Sequence, residues 1–356
     1  MKPLSAYAAK TAIRAARPFL GQRLSLPHLL AFLSYNSPLK MTNMARVLLE
    51  KKLGRTVVRG KPFMLFLEVN NICNLHCPFC LTGKGKTADR PRRNMTLDEM
   101  RRSIDAVADY LYMIQLYNWG EPLLNPDLPA FIRYAHRCRI FTMVSSNMHF
   151  PKPDTAAAMV NSGLDYFIAA IDGFSPESYV KYRRGGNFER AIGNLEALLE
   201  AREKAGGTRP LVEWQYVVFR HNQDEVEAAE AFANKVGVDY FHPIPGYIED
   251  PEWITTRPEF KVELGRPESV ADCARPWTHL NIRADGGVAA CCYEFYKKDD
   301  FGNIFEEPFE RVWNNAYFQT ARKLLARGLD GAPTRPRTIC HGCLASGIRP
   351  SFEKLS

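Results

Sequence analysis

Nowhere in these 356 residues do eighteen apolar residues run together, so the sequence offers no membrane-spanning helix. The first residues carry a charge every few positions in place of an apolar stretch with a small-residue cleavage site, so a cytoplasmic protein is expected. No internal repeat is visible, which argues against a repeat architecture. Acid is scarce at the start of the chain: residues 1–62 hold twelve Lys and Arg against one acid, Glu50, a net +11, while the remainder holds 35 basic against 38 acidic residues. The overall charge of +8 therefore belongs to a basic N-terminal arm. Such an arm suits peripheral contact with an anionic membrane or an acidic partner, or packs on the rest as a helical extension. Its helix-like stretches, Ala8 to Leu20 and Met44 to Leu53, are broken by Pro18, Pro27 and Pro38, and its aromatics are sparse. No nucleic-acid partner is expected.

A disulfide framework is poorly supported as well. The cysteines number nine, an odd count, and seven of them fall into tight groups (73, 77, 80; 291, 292; 340, 343), with 273 shortly before the second group and 138 apart. Close spacing favours metal ligation over long-loop cross-links. With 46% hydrophobic residues the chain can bury a large core. From Phe63 onward short apolar runs alternate with longer amphipathic segments, the rhythm of βα units over a parallel sheet. Strands are predicted over Met64 to Val69, Met113 to Tyr117, Phe141 to Ser145, Tyr166 to Ile171, Val212 to Phe219 and Tyr240 to Ile244. Helices are predicted over Leu97 to Tyr110, Leu128 to Arg137, Asp154 to Ser162, Phe188 to Ala205 and Glu225 to Lys235. The expected fold is α/β: a partial (β/α)6 TIM-like barrel over residues 63–250, with functional residues at the strand ends. Residues 251–270, rich in Pro and charge, read as a linker. Residues 271–356 read as a separate small cysteine-rich domain with one helix from Phe309 to Arg327.

Just after the first strand stands Glu68-Val-Asn-Asn-Ile-Cys73-Asn-Leu-His-Cys77-Pro-Phe-Cys80. Three thiolates within eight residues suit one face of an iron-sulfur cubane and leave one iron open to a small molecule. Zinc would want a fourth ligand, and His76 is poorly placed to be one. The CxxxCxxC spacing with Phe79 before the last cysteine resembles the signature of the radical S-adenosylmethionine (SAM) superfamily. The resemblance implies a catalytic 4Fe-4S cluster on Cys73, Cys77 and Cys80, SAM bound at its open iron, and reductive cleavage of SAM to a 5'-deoxyadenosyl radical that abstracts hydrogen from an organic substrate. It also implies a flavodoxin- or ferredoxin-type electron donor. Asn118-Trp-Gly120-Glu121-Pro122 resembles the family's GGEP turn, with Trp119 in place of the first glycine; by resemblance Gly120 and Glu121 receive the SAM amino group. Ser146 and Asn147 end the third strand and Asp172 the fourth; by the same resemblance they serve the ribose, and Arg183 the SAM carboxylate.

The tail reads Cys273-Ala-Arg-Pro-Trp277, Gly286 to Cys291-Cys292 and Cys340-His-Gly-Cys343. This is similar to the SPASM/Twitch extension of radical SAM proteins, and the cysteine count suits the shorter Twitch form, with one auxiliary 4Fe-4S cluster on Cys273, Cys291, Cys340 and Cys343. A structural zinc ribbon is the competing reading. Strand alternation would send Cys291 and Cys292 to opposite faces, leaving Cys292 as a buried thiol, a spare ligand or a hydrogen-atom donor. Cys138 reads as structural. Of His221, His242 and His279, His242 at the sixth strand's end is the candidate substrate contact. The expected activity is an oxidoreductase-type dehydrogenation of a sugar, aminocyclitol or lipid-linked small molecule. The alternatives are a peptide maturase or epimerase and, in another class, a non-catalytic zinc-binding interaction protein.

Overall fold

The computed structural model describes residues 34–246, 248, 250–261, 273–329, 333 and 335–346; the predicted helix Ala8 to Leu20 lies outside them. Six parallel strands, β1 (Met64–Leu67), β2 (Met113–Gln115), β3 (Phe141–Ser146), β4 (Tyr166–Ala170), β5 (Leu211–Val218) and β6 (Tyr240–Pro245), stand where the sequence predicts them. They pair in sequence order, each with the next. The mostly parallel α/β sheet expected from the sequence is therefore the fold.

The helices start where the local chemistry tells them to. In α1 (Pro38–Lys52) the Ser37 side chain caps Lys40 N and Pro38 opens the helix, so Pro38 begins this helix and does not break it. Thr96 and Glu99 form a reciprocal capping box at α2 (Leu97–Ile104). After α3 (Leu128–Arg137) and α4 (Thr155–Asn161), a second box of Ser175 and Ser178, with Pro176 at the first position, starts α5 (Pro176–Tyr182). That helix is absent from the helices expected from the sequence. Asn187 caps α6 (Phe188–Lys204), and Gly237, at φ 86, ends α7 (Val226–Val236).

The C-terminal part does not stand apart. After α8 (Arg275–Thr278) comes β7 (His279–Ile282), which pairs in parallel with β1, and β8 (Val288–Ala289) adds an antiparallel edge. The sheet thus has eight strands, in the order β6-β5-β4-β3-β2-β1-β7-β8. The predicted single helix 309–327 is two, α9 (Phe309–Trp313) and α10 (Ala316–Arg327). The break occurs because the Asn315 side chain accepts from Tyr317 N and Phe318 N and caps a new start. A last helix, α11 (Ile339–Ser346), carries Cys340 and Cys343. Nor is the first half of the predicted linker free: Trp253 O accepts from Arg220 N at 3.0 Å, and Gln223 Oε1 accepts from Thr255 Oγ1 at 2.6 Å. No helix among the described residues is long and apolar enough to cross a membrane.

Candidate active site

The cysteine loop leaves the end of β1 and is fastened on three sides. Asn70 Nδ2 donates to Glu121 O at 2.8 Å, and Glu121 N donates to Ile72 O at 2.7 Å, so the loop and the turn after β2 are laced together. Gly120 is obligatory there, since a Cβ would lie 2.1 Å from Asn70 Oδ1. On the far side His76 N donates to Arg184 O at 2.8 Å. Gly83 closes the loop: a Cβ on it would meet the Cys77 carbonyl at 2.6 Å.

The three thiols face a ring of the residues the sequence singles out. Cys77 is buried, Cys73 and Cys80 partly so. Leu75 N donates to Cys73 Sγ at 3.5 Å, and Asn147 Nδ2 reaches the same sulfur at 3.8 Å while donating to Asn74 Oδ1 at 2.8 Å. The positive charge of Arg183 lies near Cys77 and opposes the effect of burial on its thiol. Burial pushes the Cys73 thiol up to about 12 and raises Cys77 as well, so these thiols hold their protons until a metal displaces them. Soft thiols on one loop, met by N–H donors, fit an iron-sulfur cluster.

The polar residues at the strand ends come together, and each is held. Glu121 accepts from Asn147 N at 2.8 Å and Leu123 N at 3.2 Å; burial raises its carboxyl to about 7. Ser146 Oγ accepts from Met148 N at 3.0 Å. Met148 sits at φ 64, a strained position for a bulky residue, and this turn returns Asn147 toward the cysteines. Asp172 takes Arg183 Nε at 2.6 Å on one oxygen and Val217 N at 2.7 Å on the other. In this structure Asp172 and Arg183 are thus each other's partners. Phe79 stacks edge-on against Trp253, ring centroids 4.9 Å apart, within an aromatic group of Tyr182, Phe219 and His221. Trp253 lies in the predicted linker, and only the fold brings it here.

Inside the sheet's concave face only His242 is a contact predicted from the sequence. Barrel interiors are ordinarily filled by branched aliphatic residues. Here Glu213 accepts from Tyr166 Oη at 2.5 Å and pairs with His242 Nδ1 at 3.1 Å, and Tyr117 Oη donates to Gln115 Oε1 at 2.8 Å. Glu213 lies on the partly exposed side of β5, whose residues alternate strictly with buried ones, and His242 follows the buried Phe241 on β6; the period-two signal along β5 was available in the sequence.

At the other cysteine group Cys340 is buried, and its thiol is raised first by burial, then by the nearby Glu294, Cys273 and Cys343. Cys291 and Cys292 lie in the bend and turn past β8, so strand alternation does not separate them. Arg275 Nη1 donates to Cys292 Sγ at 2.9 Å. Cys138, at the end of α3, stands apart from both groups and packs against the core.

Two family descriptions match this chain: the radical SAM superfamily over residues 67–233 and an iron-sulfur cluster-binding domain, SPASM, over residues 273–344. The chain is 29% identical over 178 residues to a GTP 3',8-cyclase of Hydrogenovibrio crunogenus, covering 49% of this chain and 52% of that protein. It spans about half the length of that relative, and 40% of an AdoMet-dependent heme synthase of Methanosarcina barkeri. A mycofactocin maturase, MftC, of Mycobacterium ulcerans is 23% identical over 317 residues, covering 80% of this chain and 84% of that protein. The crystal structure of Streptococcus suis SuiB bound to S-adenosylmethionine superposes with a TM-score of 0.59 at 14% identity, covering 89% of this chain and 78% of that one, and shares the fold. The sugar, aminocyclitol or lipid-linked substrate expected from the sequence gains no support here; the peptide-maturase alternative is the better backed.

Proposed function

Since this chain belongs to the radical SAM superfamily and carries a C-terminal SPASM domain, we propose that it is a peptide-modifying enzyme that cleaves SAM reductively and abstracts hydrogen from its peptide. The observation that carries the chemistry is the Cys73, Cys77, Cys80 loop at the end of β1, fastened to the turn bearing Gly120 and Glu121. The peptide is supported by the maturase relatives that align along four-fifths of the chain. Enzymes of this class use SAM, a 4Fe-4S cluster and one or more auxiliary clusters. A cluster bound at Cys73, Cys77 and Cys80 supplies one-electron reduction of SAM at its open iron.

The chain's own residues then have separable tasks. Asn147 and Leu75 offer N–H donors to the Cys73 sulfur, and the Arg183 charge lies near Cys77; such neighbours set the electron density on the ligands. Glu121 holds the turn after β2 against the end of β3. The interior group of Tyr117, Tyr166, Glu213 and His242 offers donors and acceptors where a substrate entering the concave face would meet them. Cys273, Cys340, Cys343 and one of Cys291 and Cys292 would hold the auxiliary cluster.

The test is to incubate the anaerobically reconstituted protein with SAM, dithionite and a synthetic peptide encoded by a short reading frame beside its gene. A peptide two hydrogens lighter, or one carrying solvent deuterium at one position, supports the reading; the first outcome means oxidation, the second epimerisation. An unaltered peptide with unchanged 5'-deoxyadenosine output would overturn the peptide assignment and leave the SAM chemistry standing.

A further inference from the structure

Helix α1 turns two unlike faces to its surroundings. Its buried residues, Lys40, Asn43, Met44, Val47 and Glu50, fall on one side at helical spacing. They fasten the helix to segments that lead into the strands: Lys40 Nζ donates to Arg139 O at 2.5 Å just before β3, and Asn43 exchanges two 2.9 Å hydrogen bonds with Lys61 just before β1. Glu50 accepts from Arg59 N at 2.9 Å and Gly60 N at 3.0 Å. The inner face of α1 is thus spent on the strand-start end of the sheet, the end opposite the cysteine loop.

The outer face is the unusual one. Of the eight large apolar side chains most exposed among the described residues, five stand between positions 39 and 57: Leu39 at 48%, Met41 at 47%, Leu49 at 56%, and Leu53 and Val57 at 59%. A solvated helix puts charge where this one puts leucine. The charged residues exposed among them, Arg46, Lys52, Arg55 and Arg59, are all basic; the segment's one acid, Glu50, is turned inward. Apolar anchors interleaved with cations, without a carboxylate, are the chemistry of a helix lying in the interface of an anionic bilayer. An acidic protein partner would meet the cations equally well, but the five exposed apolar side chains interleaved with them favour a lipid interface, which takes both.

We infer that Leu39, Met41, Leu49, Leu53 and Val57, framed by Arg46, Lys52, Arg55 and Arg59, form a docking face for anionic phospholipid membranes. Because α1 is mounted on the strand-start end, a protein docked this way turns the cysteine loop and the concave face away from the bilayer. Its substrate then arrives from the aqueous side. Lipid-linked substrates in the same membrane would face the wrong end of the molecule.

Sedimentation of the full-length protein with vesicles of phosphatidylcholine alone, and of phosphatidylcholine mixed with phosphatidylglycerol, tests this. The protein should sediment with the anionic vesicles only, and less as salt rises. The double variant Leu49→Gln/Leu53→Gln should lose about tenfold in vesicle affinity while keeping its iron content and its circular dichroism spectrum. Failure of the wild type to bind anionic vesicles at low salt overturns the inference. So does undiminished binding by the variant, which would place the contact elsewhere in the arm. A self-associated wild type that becomes monomeric in the variant, with no vesicle binding by either, would make this a face between copies and overturn it equally.

Discussion

The indole of Trp119 meets the Phe295 ring at 4.9 Å and its Nε1–H donates to Glu294 O at 3.4 Å. Trp119 stands where the family turn carries glycine, and with Leu81, Ala88 and Phe295 it makes a small apolar core of its own. The departure is thus a clamp between the cysteine loop and the C-terminal part. Trp119→Gly, which restores the family residue, should cost about 3 to 5 kcal/mol as a large-to-small change in a packed site. Trp119→Phe, which keeps an aromatic ring but loses the donated hydrogen bond and part of the indole's packing, should cost less, about 1 to 3 kcal/mol. Denaturant unfolding measures both, and equal costs would contradict the clamp.

Arg90 is a second fastening across the same seam. Its guanidinium reaches Asp285 at 2.8 Å and Asp300 at 2.5 Å, all of it nearly buried. Arg90→Ala should destabilise by about 3 to 5 kcal/mol, because two carboxylates are left without a counter-charge. Arg90→Lys should recover little, since an ammonium cannot serve both carboxylates with a planar fork. Recovery to wild-type stability in the lysine variant would show that charge alone suffices.

His221 carries a pH dependence. It lies between Phe219 and Trp253, with Nε2 on Ser178 O at 3.2 Å and Nδ1 without a partner. Burial, and then Lys181, lower its pKa from 6.5 to about 4. The folded site disfavours the imidazolium, so the contribution is full above about pH 6.5 and is lost as pH falls toward 4. The slope of stability against pH across that window should flatten in His221→Phe. An unchanged slope would assign the acid sensitivity to other groups.

The strands and the first cysteine group were legible because their signals are local. A parallel strand buried on both faces is a run of apolar residues, and three ligands of one cluster sit within eight positions of sequence. What could not be read depends on contacts distant in sequence. Nothing in the sequence around β7 says that it pairs with β1, two hundred residues earlier, and nothing around Trp253 says that it covers Phe79. The alternation expected for Cys291 and Cys292 failed because β8 ends at Ala289. Arg275, two residues from Cys273, was visible in the sequence, but its contact with Cys292 needed the fold.

The central claim is that Cys73, Cys77 and Cys80 hold the cluster at which SAM is cleaved. The direct measurement is 5'-deoxyadenosine formation with SAM and dithionite, beside iron content, for the wild type and for Cys73→Ala/Cys77→Ala/Cys80→Ala after anaerobic reconstitution. The variant should lose about four irons, one cubane, form no 5'-deoxyadenosine, and keep the iron bound at the C-terminal cysteines. Undiminished SAM cleavage in the triple variant would contradict the account.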